Sequence, residues 1–318
     1  MKKKTIITIL LFIAAITVNA QFLFRITSGG LSKPSYILGS IHTLPGSLLD
    51  SIPEFLVAES ECQQLYSEYD VSDQQKMNDM KMASQHATTL PNGKTIFDVL
   101  NKEQTDLLNA KFNETFHVNL TDSVMKATWN YQPFVFPTTF ILIFSTEEMR
   151  KHPELGLVGT PMDLVCITRA KERGMVLGQL DQIQSQDSLT KMRDTWMESL
   201  DTQVDSLMSF LHNFEQRKQQ AIDEVKAAVT SAELWKKGDY DSFNADSFWL
   251  SQIDKNPTLF KQRNEKWLPK ITIAMHEAPT LFVFGAGHLI GPNGIISKLR
   301  EAGYQVEQIK KNKVLWKR

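Results

Sequence analysis

Two copies of a Gly-x-x-His pattern constrain the fold of this chain more than any other feature of its sequence. The first runs from Gly39 to His42, and the second runs from Gly285 to His288. Each copy ends a short apolar run and has a proline and a glycine three or four residues after its histidine. The histidines are 246 positions apart (288 − 42), so a fold that joins them must bring together distant parts of the chain.

The pattern places an imidazole at the end of a predicted strand. A glycine three residues before the histidine lets the backbone leave the strand with unusual dihedral angles and lets a ligand approach closely. Imidazole is a strong ligand for mid-row divalent metals. One copy alone would more often be a structural histidine, but two copies in matching strand–loop–helix settings favour a shared site for His42 and His288.

The composition is that of an ordinary globular protein with a large core. Of the 318 residues, 42% are hydrophobic and 22% are charged, and the net charge is −1. There is no basic stripe with interleaved aromatic residues, so the sequence gives no electrostatic reason to expect a nucleic-acid partner.

Residues 1–20 have the features of a secretory signal peptide. Three lysines at positions 2–4 precede a 13-residue apolar run at 6–18, and residues 18–20 fit a cleavage site. The run is short for a membrane span, which makes an uncleaved anchor the less favoured alternative. We therefore expect an exported protein, periplasmic or extracellular, with no stable membrane span after cleavage.

The two cysteines, Cys62 and Cys166, leave two alternatives open. In an oxidising compartment they could form a disulfide. Their positions within predicted elements suit two buried free thiols equally well.

Alternating strands and helices predict an α/β fold. The strand–helix–strand pattern over 35–71 indicates a βαβ unit with neighbouring parallel strands. His42 and Glu68 would then lie at the carboxyl edge of the sheet, where open α/β sheets hold ligands. Further strands are predicted at 21–27, 175–181, 281–284 and 304–309, the first of them antiparallel to its successor.

Two long stretches, about 72–160 and 187–277, have apolar residues at helical spacing instead. We therefore expect one domain over 21–318, with a mixed, largely parallel sheet built from βαβ units and a large helical insert.

Two acids are candidates for the same edge of the sheet. Glu68 would complete a set of two imidazoles and a carboxylate, which can hold a catalytic metal and leave positions open for water. The alternative for Glu68 is a surface-facing acid at a strand end. For Asp181 the sequence favours a helix N-cap or an exposed turn acid, with a metal ligand or a contact to one as the alternative.

Arg263 and Asn264 lie on a predicted helix just before the last strand–helix–strand unit. A guanidinium can hold an oxyanion or a carboxylate of such a site. A surface ion pair is equally compatible with the sequence.

A dinucleotide-binding turn is the competing interpretation of the second motif. Gly285, Gly287 and Gly291 follow a strand and precede a helix, and Glu307 lies 20 residues after Gly287 (307 − 287). The histidine inside the turn, the C-terminal position and the expected export all disfavour this interpretation.

The two motif regions, LGSIHTLPGS and VFGAGHLIGPNGIISKLREAGYQV, resemble those of the TraB/GumN (PrgY) family, relatives of the Tiki metalloproteases. The likeness covers nearly all of the mature chain, including LPNGKTIFDVL at 90–100 and QRNEKW at 262–267. The resemblance implies a divalent-metal hydrolase. Its site residues match His42, Glu68 and His288, with Arg263 and Asn264 in support.

One departure concerns Asp181. The family commonly has Leu-Glu at this strand end with Gln five residues later, whereas this chain has Leu180-Asp181 and Gln186. Because aspartate is one methylene shorter than glutamate, the resemblance does not assign a role to Asp181.

We therefore expect an exported hydrolase that uses Mn, Co or Zn, most plausibly on a peptide or protein substrate. A binding protein that holds a peptide or pheromone-like ligand without turnover is the alternative.

Overall fold

The computed structural model describes residues 22–28, 30–42, 44–69, 88–153, 159–181 and 199–310, together with 75, 78, 81 and 82. The predicted signal peptide at 1–20 lies outside these residues. So do Gln186 and parts of both predicted helical segments.

A mixed, largely parallel sheet organises the fold, as predicted. Its strands are β1 (Leu23–Thr27), β2 (Ser35–Ser40), β3 (Gln64–Ser67), β4 (Val176–Gln179), β5 (Thr280–Gly285) and β6 (Gln305–Gln308). The order across the sheet is β4-β3-β5-β2-β1-β6. The first four strands in this order pair in parallel, whereas β1 pairs antiparallel with both β2 and β6.

The expectation that the second and third strands are neighbours is wrong, because β5 lies between them. Leu38 of β2 pairs with Val283, and Tyr66 of β3 pairs with Phe282. From Leu281 to Phe284 every side chain of β5 is buried. A parallel strand that is apolar on both faces is stabilised most at the centre of a sheet, which explains its position. The second histidine motif therefore emerges between the first motif and Glu68.

The sheet order also removes the basis of the dinucleotide interpretation. Glu307 lies on β6, where it pairs with Arg25 at the edge of the sheet. Two strands, β2 and β1, separate β6 from β5. An acid that binds a ribose would have to lie beside the glycine turn, so Glu307 is in the wrong place.

The remaining regular elements are mostly helices, some packed on the sheet and others in a cluster of their own. They are α1 (Pro53–Glu61), α2 (Ile96–Val99), α3 (Lys102–Phe116), α4 (Val135–Met149), α5 (Met162–Glu172), α6 (Leu200–His212), α7 (Phe214–Lys237), α8 (Tyr240–Asn244), α9 (Ser247–Lys255), α10 (Lys261–Glu277) and α11 (Ile295–Glu301). Short 3-10 turns lie at Gly46–Ser51, Pro91–Gly93, Ser123–Thr128 and Ala286–His288. Within the described ranges, none of the helices has both the length and the apolar character needed to cross a bilayer.

The buried side chains form two clusters. The main cluster fills both faces of the sheet, and the second is built from helices around Phe140, whose ring lies 5.1 Å from that of Phe214 and 6.0 Å from that of Phe210. Helix α7 connects them, with Ala221 in the second cluster and Trp235 in the main one. The predicted second helical segment is therefore divided between the two clusters.

Trp235 also ties α7 to the first histidine motif. Its indole Nε1 donates a hydrogen bond to the carbonyl oxygen of Gly39 at 2.7 Å. Because both groups are buried, the bond satisfies a carbonyl that would otherwise be desolvated without a partner.

Both cysteines are buried free thiols. Of the two alternatives that the sequence leaves open, the structure therefore has the unpaired one. Burial raises the pKa of Cys62 to about 12, so its thiol is un-ionised at neutral pH.

Candidate active site

Four parallel strands bring polar side chains to one edge of the sheet. His42 follows β2, Glu68 follows β3, Asp181 follows β4 and His288 follows β5. The carboxyl ends of parallel strands face the same crevice, so the strand order places these side chains side by side.

Three of the predicted residues meet around Gly285. A Cβ atom built on this glycine would lie 3.4 Å from Oε1 of Glu68, 3.7 Å from Nε2 of His42 and 3.9 Å from Cδ2 of His288. The Gly285 N–H also donates to Glu68 Oε1 at 2.9 Å. The small residue thus leaves open a space that both histidines and the carboxylate border.

The two motif glycines serve close approach and not unusual dihedral angles. Gly285 has an ordinary φ of −55°, and neither Gly39 nor Gly285 has a positive φ. A Cβ on Gly39 would lie 2.4 Å from Cδ1 of Leu289 and 3.3 Å from Cβ of Phe22. The expectation of unusual dihedral angles at these positions is therefore wrong, and the close approach at Gly39 is made by protein side chains.

Arg263 connects the acids and the second histidine. Its Nε donates to Asp181 Oδ2 at 2.7 Å, and its Nη2 donates to Glu68 Oε2 at 2.5 Å. Its Nη1 lies 3.2 Å from Nε2 of His288. The guanidinium also lies over the ring of Trp267, 4.5 Å from the ring centre. Only 15% of its side chain is exposed, so the surface ion pair considered for Arg263 is not what forms.

Glu68 and Asp181 are both enclosed in this network. The Glu68 side chain is 15% exposed, which does not fit a surface-facing acid. Asp181 also accepts from Trp267 Nε1 at 2.8 Å, and its side chain is only 19% exposed, so it is not an exposed turn acid. Residues 182–198, on which a helix N-cap would depend, lie outside the described residues. The two carboxylate oxygens of Asp181 therefore accept from different residues: Oδ2 accepts from Arg263 and Oδ1 accepts from Trp267.

His288 is buried and held in one tautomer. Arg263 can only donate, so Nε2 of His288 accepts, and Nδ1 carries the proton. Nδ1 lies 2.7 Å from Oδ1 of Asn264, whose Nδ2 donates to the carbonyls of His288 and Asn293 at 3.2 and 2.8 Å. These two amide donations leave Oδ1 as the atom that faces the ring. Burial lowers the pKa of His288 to about 4, although Glu68 opposes this shift, so the ring is neutral near pH 7.

Glu68 is ionised at neutral pH. Burial alone would raise the pKa of its carboxyl group. The charge of a protonated His288, the Gly285 N–H and Arg263 together more than offset burial, so the pKa lies below its usual value. Because His288 is neutral near pH 7, the N–H and the guanidinium are the contacts that stabilise the carboxylate there.

His42 approaches the site from the solvent side, with 69% of its side chain exposed. Its Nδ1 lies 3.7 Å from Oδ2 of Asp163, a residue in the first turn of α5 that the sequence did not identify. Burial raises the pKa of Asp163, and the nearby His42 only partly offsets the shift. Asp163 Oδ1 and Ser40 Oγ, both buried, have no hydrogen-bond partner among the described residues.

Asp163 reaches His42 because the first motif loop is joined to the start of α5. Gly46 N–H donates to the carbonyl of Thr160 at 2.8 Å, and Pro45 forms an isolated bridge with Pro161. An acid in the first turn of a helix is ordinarily explained by the helix dipole, so the sequence alone gave no reason to assign it to the site.

The donor set suits a divalent metal in its chemistry. Imidazole nitrogen and carboxylate oxygen bind Zn and related mid-row metals. The contact from His288 Nδ1 to Asn264 fixes the ring, as metal-binding histidines commonly require, and leaves Nε2 as the nitrogen that could bind a metal. Across the ranges that the structure describes, however, no three His, Cys, Asp or Glu side chains are already grouped to hold a metal ion. Arg263 instead contacts both His288 Nε2 and Glu68 Oε2.

The fold and the site define an α/β protein with a buried Arg–Glu–Asp–His network at the carboxyl edge of its parallel strands. The chain belongs to the TraB/PrgY/gumN family, whose model matches residues 22–308. The resemblance seen in the two histidine motifs is thereby confirmed.

One curated relative is the protein called Metalloprotease TIKI1 of Danio rerio. It is 38% identical to this chain over 68 residues, which are 20% of this chain and 14% of that protein. The matched part is thus a small fraction of the relative's length. No solved structure matches the chain.

Proposed function

We propose that this protein is an exported metal-dependent hydrolase that cleaves peptide bonds, with His42, Glu68 and His288 as the metal-binding residues. The observation that carries the proposal is the convergence of these three side chains within 4 Å of one point above Gly285. Membership of the family and the short match to a metalloprotease support a peptide or protein substrate. The signal-like residues 1–20 support the periplasmic or extracellular location.

A divalent ion of the Mn, Co or Zn type would supply Lewis-acid polarisation of the scissile carbonyl and a lower pKa for the attacking water. In both proposed histidine ligands a neighbouring side chain lies close to Nδ1 of the imidazole. Asn264 fixes the ring of His288, and Asp163 lies behind Nδ1 of His42. His42 then presents Nε2 to the shared space, whereas His288 borders that space with Cδ2 and its Nε2 contacts Arg263.

Glu68 serves either as the third metal ligand or as the base that accepts a proton from the attacking water. Its Oε2 holds Arg263, whereas its Oε1 lies towards the space above Gly285 and accepts only one N–H there. A carboxylate oxygen has more than one lone pair, so Oε1 can also accept a proton from water. The pKa of Glu68 lies below its usual value, so the carboxylate is ionised and Oε1 does not already carry a proton.

Arg263 provides the positive charge for an oxyanion. Asp181 and Glu68 hold two of its three nitrogens, which fixes the plane of the guanidinium. The third, Nη1, lies beside His288, where its N–H groups can be donated to a developing negative charge without movement of the guanidinium. A preorganised donor of this kind stabilises a tetrahedral transition state.

The alternative function, peptide binding without turnover, is favoured by one observation. Arg263 contacts the lone pair of His288 and one oxygen of Glu68, which makes the network complete without a metal. A closed ionic network of this kind can serve as a rigid floor for a bound peptide.

Metal titration separates the two functions. We expect purified protein to bind Mn²⁺, Co²⁺ or Zn²⁺ in calorimetry and His42→Ala and His288→Ala to weaken this binding strongly. His212→Ala is the matched control, because His212 is exposed on α6. A peptide library incubated with the metal-loaded protein should then be cut. If no metal binds, or if the site variants bind as well as His212→Ala, the hydrolase proposal fails.

A further inference from the structure

The site opens into a cavity of about 300 Å³ whose two sides differ in chemistry. One side consists of Glu68, Arg263 and the two histidines. An apolar wall comes from helices α7 to α9 and the segment that leads into α10, and is formed by Ala228, Phe243, Trp249, Leu259 and Phe260.

The apolar wall is held in place by its own contacts. Trp249 Nε1 donates to Ser231 Oγ at 2.5 Å, and this hydroxyl donates to the carbonyl of Ala227 at 2.8 Å. The ring of Phe260 lies 5.3 Å from that of His288. It is also so near Gly287 that a Cβ there would lie 2.9 Å from Phe260 Cε1. The wall therefore has a fixed shape before any ligand arrives.

The polar groups of this wall are already engaged. The Ser231 hydroxyl is used by Trp249 and by a backbone carbonyl, so it is a poor partner for a ligand. Among the described residues that line the cavity, the charged side chains are at the catalytic end. A polar side chain placed against the wall would lose its hydration without gaining new hydrogen bonds. An apolar side chain would gain from burial.

The size and the opening of the cavity limit what can enter. About 300 Å³ lies at the small end of the range for ligand pockets, enough for one large side chain and its nearby backbone. Leu259 is 49% exposed and forms the rim. An exposed leucine beside an apolar cavity marks the entrance for an apolar group.

We infer that this cavity receives one aromatic or branched aliphatic side chain of the peptide, next to the bond that is cut. The inference rests on the proposed function and adds the substrate class. The polar end would then act on the peptide bond while the apolar end selects the residue beside it.

A cleavage library tests the inference by sequencing the cut products. We expect Phe, Leu or Ile to exceed Asp and Lys by about 10- to 100-fold at one position flanking the cut, the range that burial of one large apolar side chain implies. Cleavage without any apolar preference at the flanking positions would overturn the pocket while leaving the hydrolase in place.

Direct binding gives a second readout that needs neither metal nor turnover. In saturation-transfer NMR, N-acetyl-phenylalaninamide should bind the metal-free protein, and Ala228→Phe should abolish this binding by filling the cavity. Equal binding to wild type and Ala228→Phe overturns the pocket. Binding that Ala228→Phe removes, together with no cleavage of any peptide, supports the pocket and rejects the proposed function.

A variant at the rim of the cavity tests the same inference in case Ala228→Phe does not fold. Leu259→Asp changes an exposed residue, so it should fold, and it should lower the apolar preference and the binding of the probe at least fivefold. Leu142→Asp is the matched control, since Leu142 is 61% exposed on α4, away from the cavity lining. If Leu259→Asp behaves as Leu142→Asp does, the pocket assignment is wrong.

Discussion

Arg263 Nη1 lies 3.2 Å from Nε2 of His288, and this contact makes the guanidinium a competitor of any metal for the same lone pair. The same arginine holds Oε2 of Glu68. Arg263 therefore neutralises the carboxylates in the metal-free protein and, under the proposed function, stabilises the oxyanion.

Replacing Arg263 should separate these two roles. We expect Arg263→Ala to bind Zn²⁺ at least as tightly as wild type, because His288 Nε2 and Glu68 Oε2 lose their competing partner. Hydrolysis should fall by about 10²- to 10³-fold, the usual cost of a missing oxyanion donor. The variant should also be less stable, since two enclosed carboxylates lose their counter-ion.

Calorimetry and steady-state kinetics on the same preparation check this prediction. Lys261→Ala, at an exposed position on the same helix, is the control for loss of a positive charge. Unchanged turnover in Arg263→Ala would show that the guanidinium does not act on the transition state.

The neutral state of His288 predicts a pH dependence of stability in the metal-free protein. The folded pKa is about 4, against 6.5 for the ordinary side chain, so between these values the unfolded chain binds more protons than the folded one. Stability should therefore rise with pH across this window and decline as pH falls below about 6.5. The contribution of this one group is at most about 3 kcal/mol.

NMR titration of the imidazole Hε1 signal measures the pKa directly, and urea unfolding at pH 5 and pH 7 measures the stability. In His288→Asn the free energy of unfolding should change less between pH 5 and pH 7 than it does in wild type. An Hε1 signal that titrates near pH 6.5 would contradict the buried, neutral tautomer.

Asp163 should position His42 for metal binding. Residues that hold a metal-binding histidine from behind commonly affect affinity by about 10- to 100-fold, so we expect a loss of that size in Asp163→Asn. Stability should change little, because the amide keeps the size of the carboxylate. Glu172→Gln, an exposed acid at the other end of α5, is the control.

The visible spectrum of the Co²⁺-loaded protein distinguishes positioning from a general structural effect. Asp163→Asn should change the band positions, because the ligand field of His42 changes, whereas Glu172→Gln should not. Identical spectra and affinities in both variants would remove Asp163 from the site.

Much of the site could be predicted because it depends on local patterns. An apolar run followed by a polar residue marks a strand end, and parallel strands collect such ends at one edge. This argument located His42, Glu68 and His288 without any knowledge of the strand order. Arg263 and Asn264 were located through the family resemblance and through their position before the last strand unit.

The rest depends on contacts between distant parts of the chain. The position of β5 between β2 and β3 follows from competition among all strands for the buried centre of the sheet, which no single segment specifies. Asp163 resembles an ordinary acid of a first helical turn, and only the loop contact through Gly46 brings it near His42. The burial of Asp181 depends likewise on Trp267, 86 residues away.

Gly285 provides a test of the shared space itself. Its φ of −55° suits any residue, so Gly285→Ala should not strain the backbone. The added methyl group would stand 3.4 Å from Glu68 Oε1 and 3.7 Å from His42 Nε2, in the space that a metal or a water molecule would use. We therefore expect a folded variant, with a melting temperature within a few degrees of wild type, that has lost metal binding and hydrolysis.

Gly294→Ala is the contrasting control. There a Cβ would lie 2.3 Å from the carbonyl oxygen of Leu289, a backbone clash that repacking of side chains cannot relieve. This variant should be destabilised by more than about 2 kcal/mol, as expected for strained or overpacked sites. Circular dichroism melts and metal titrations on both variants give the comparison. If Gly285→Ala binds metal as wild type does, the ligands do not meet above Gly285, and the proposed site has to be abandoned.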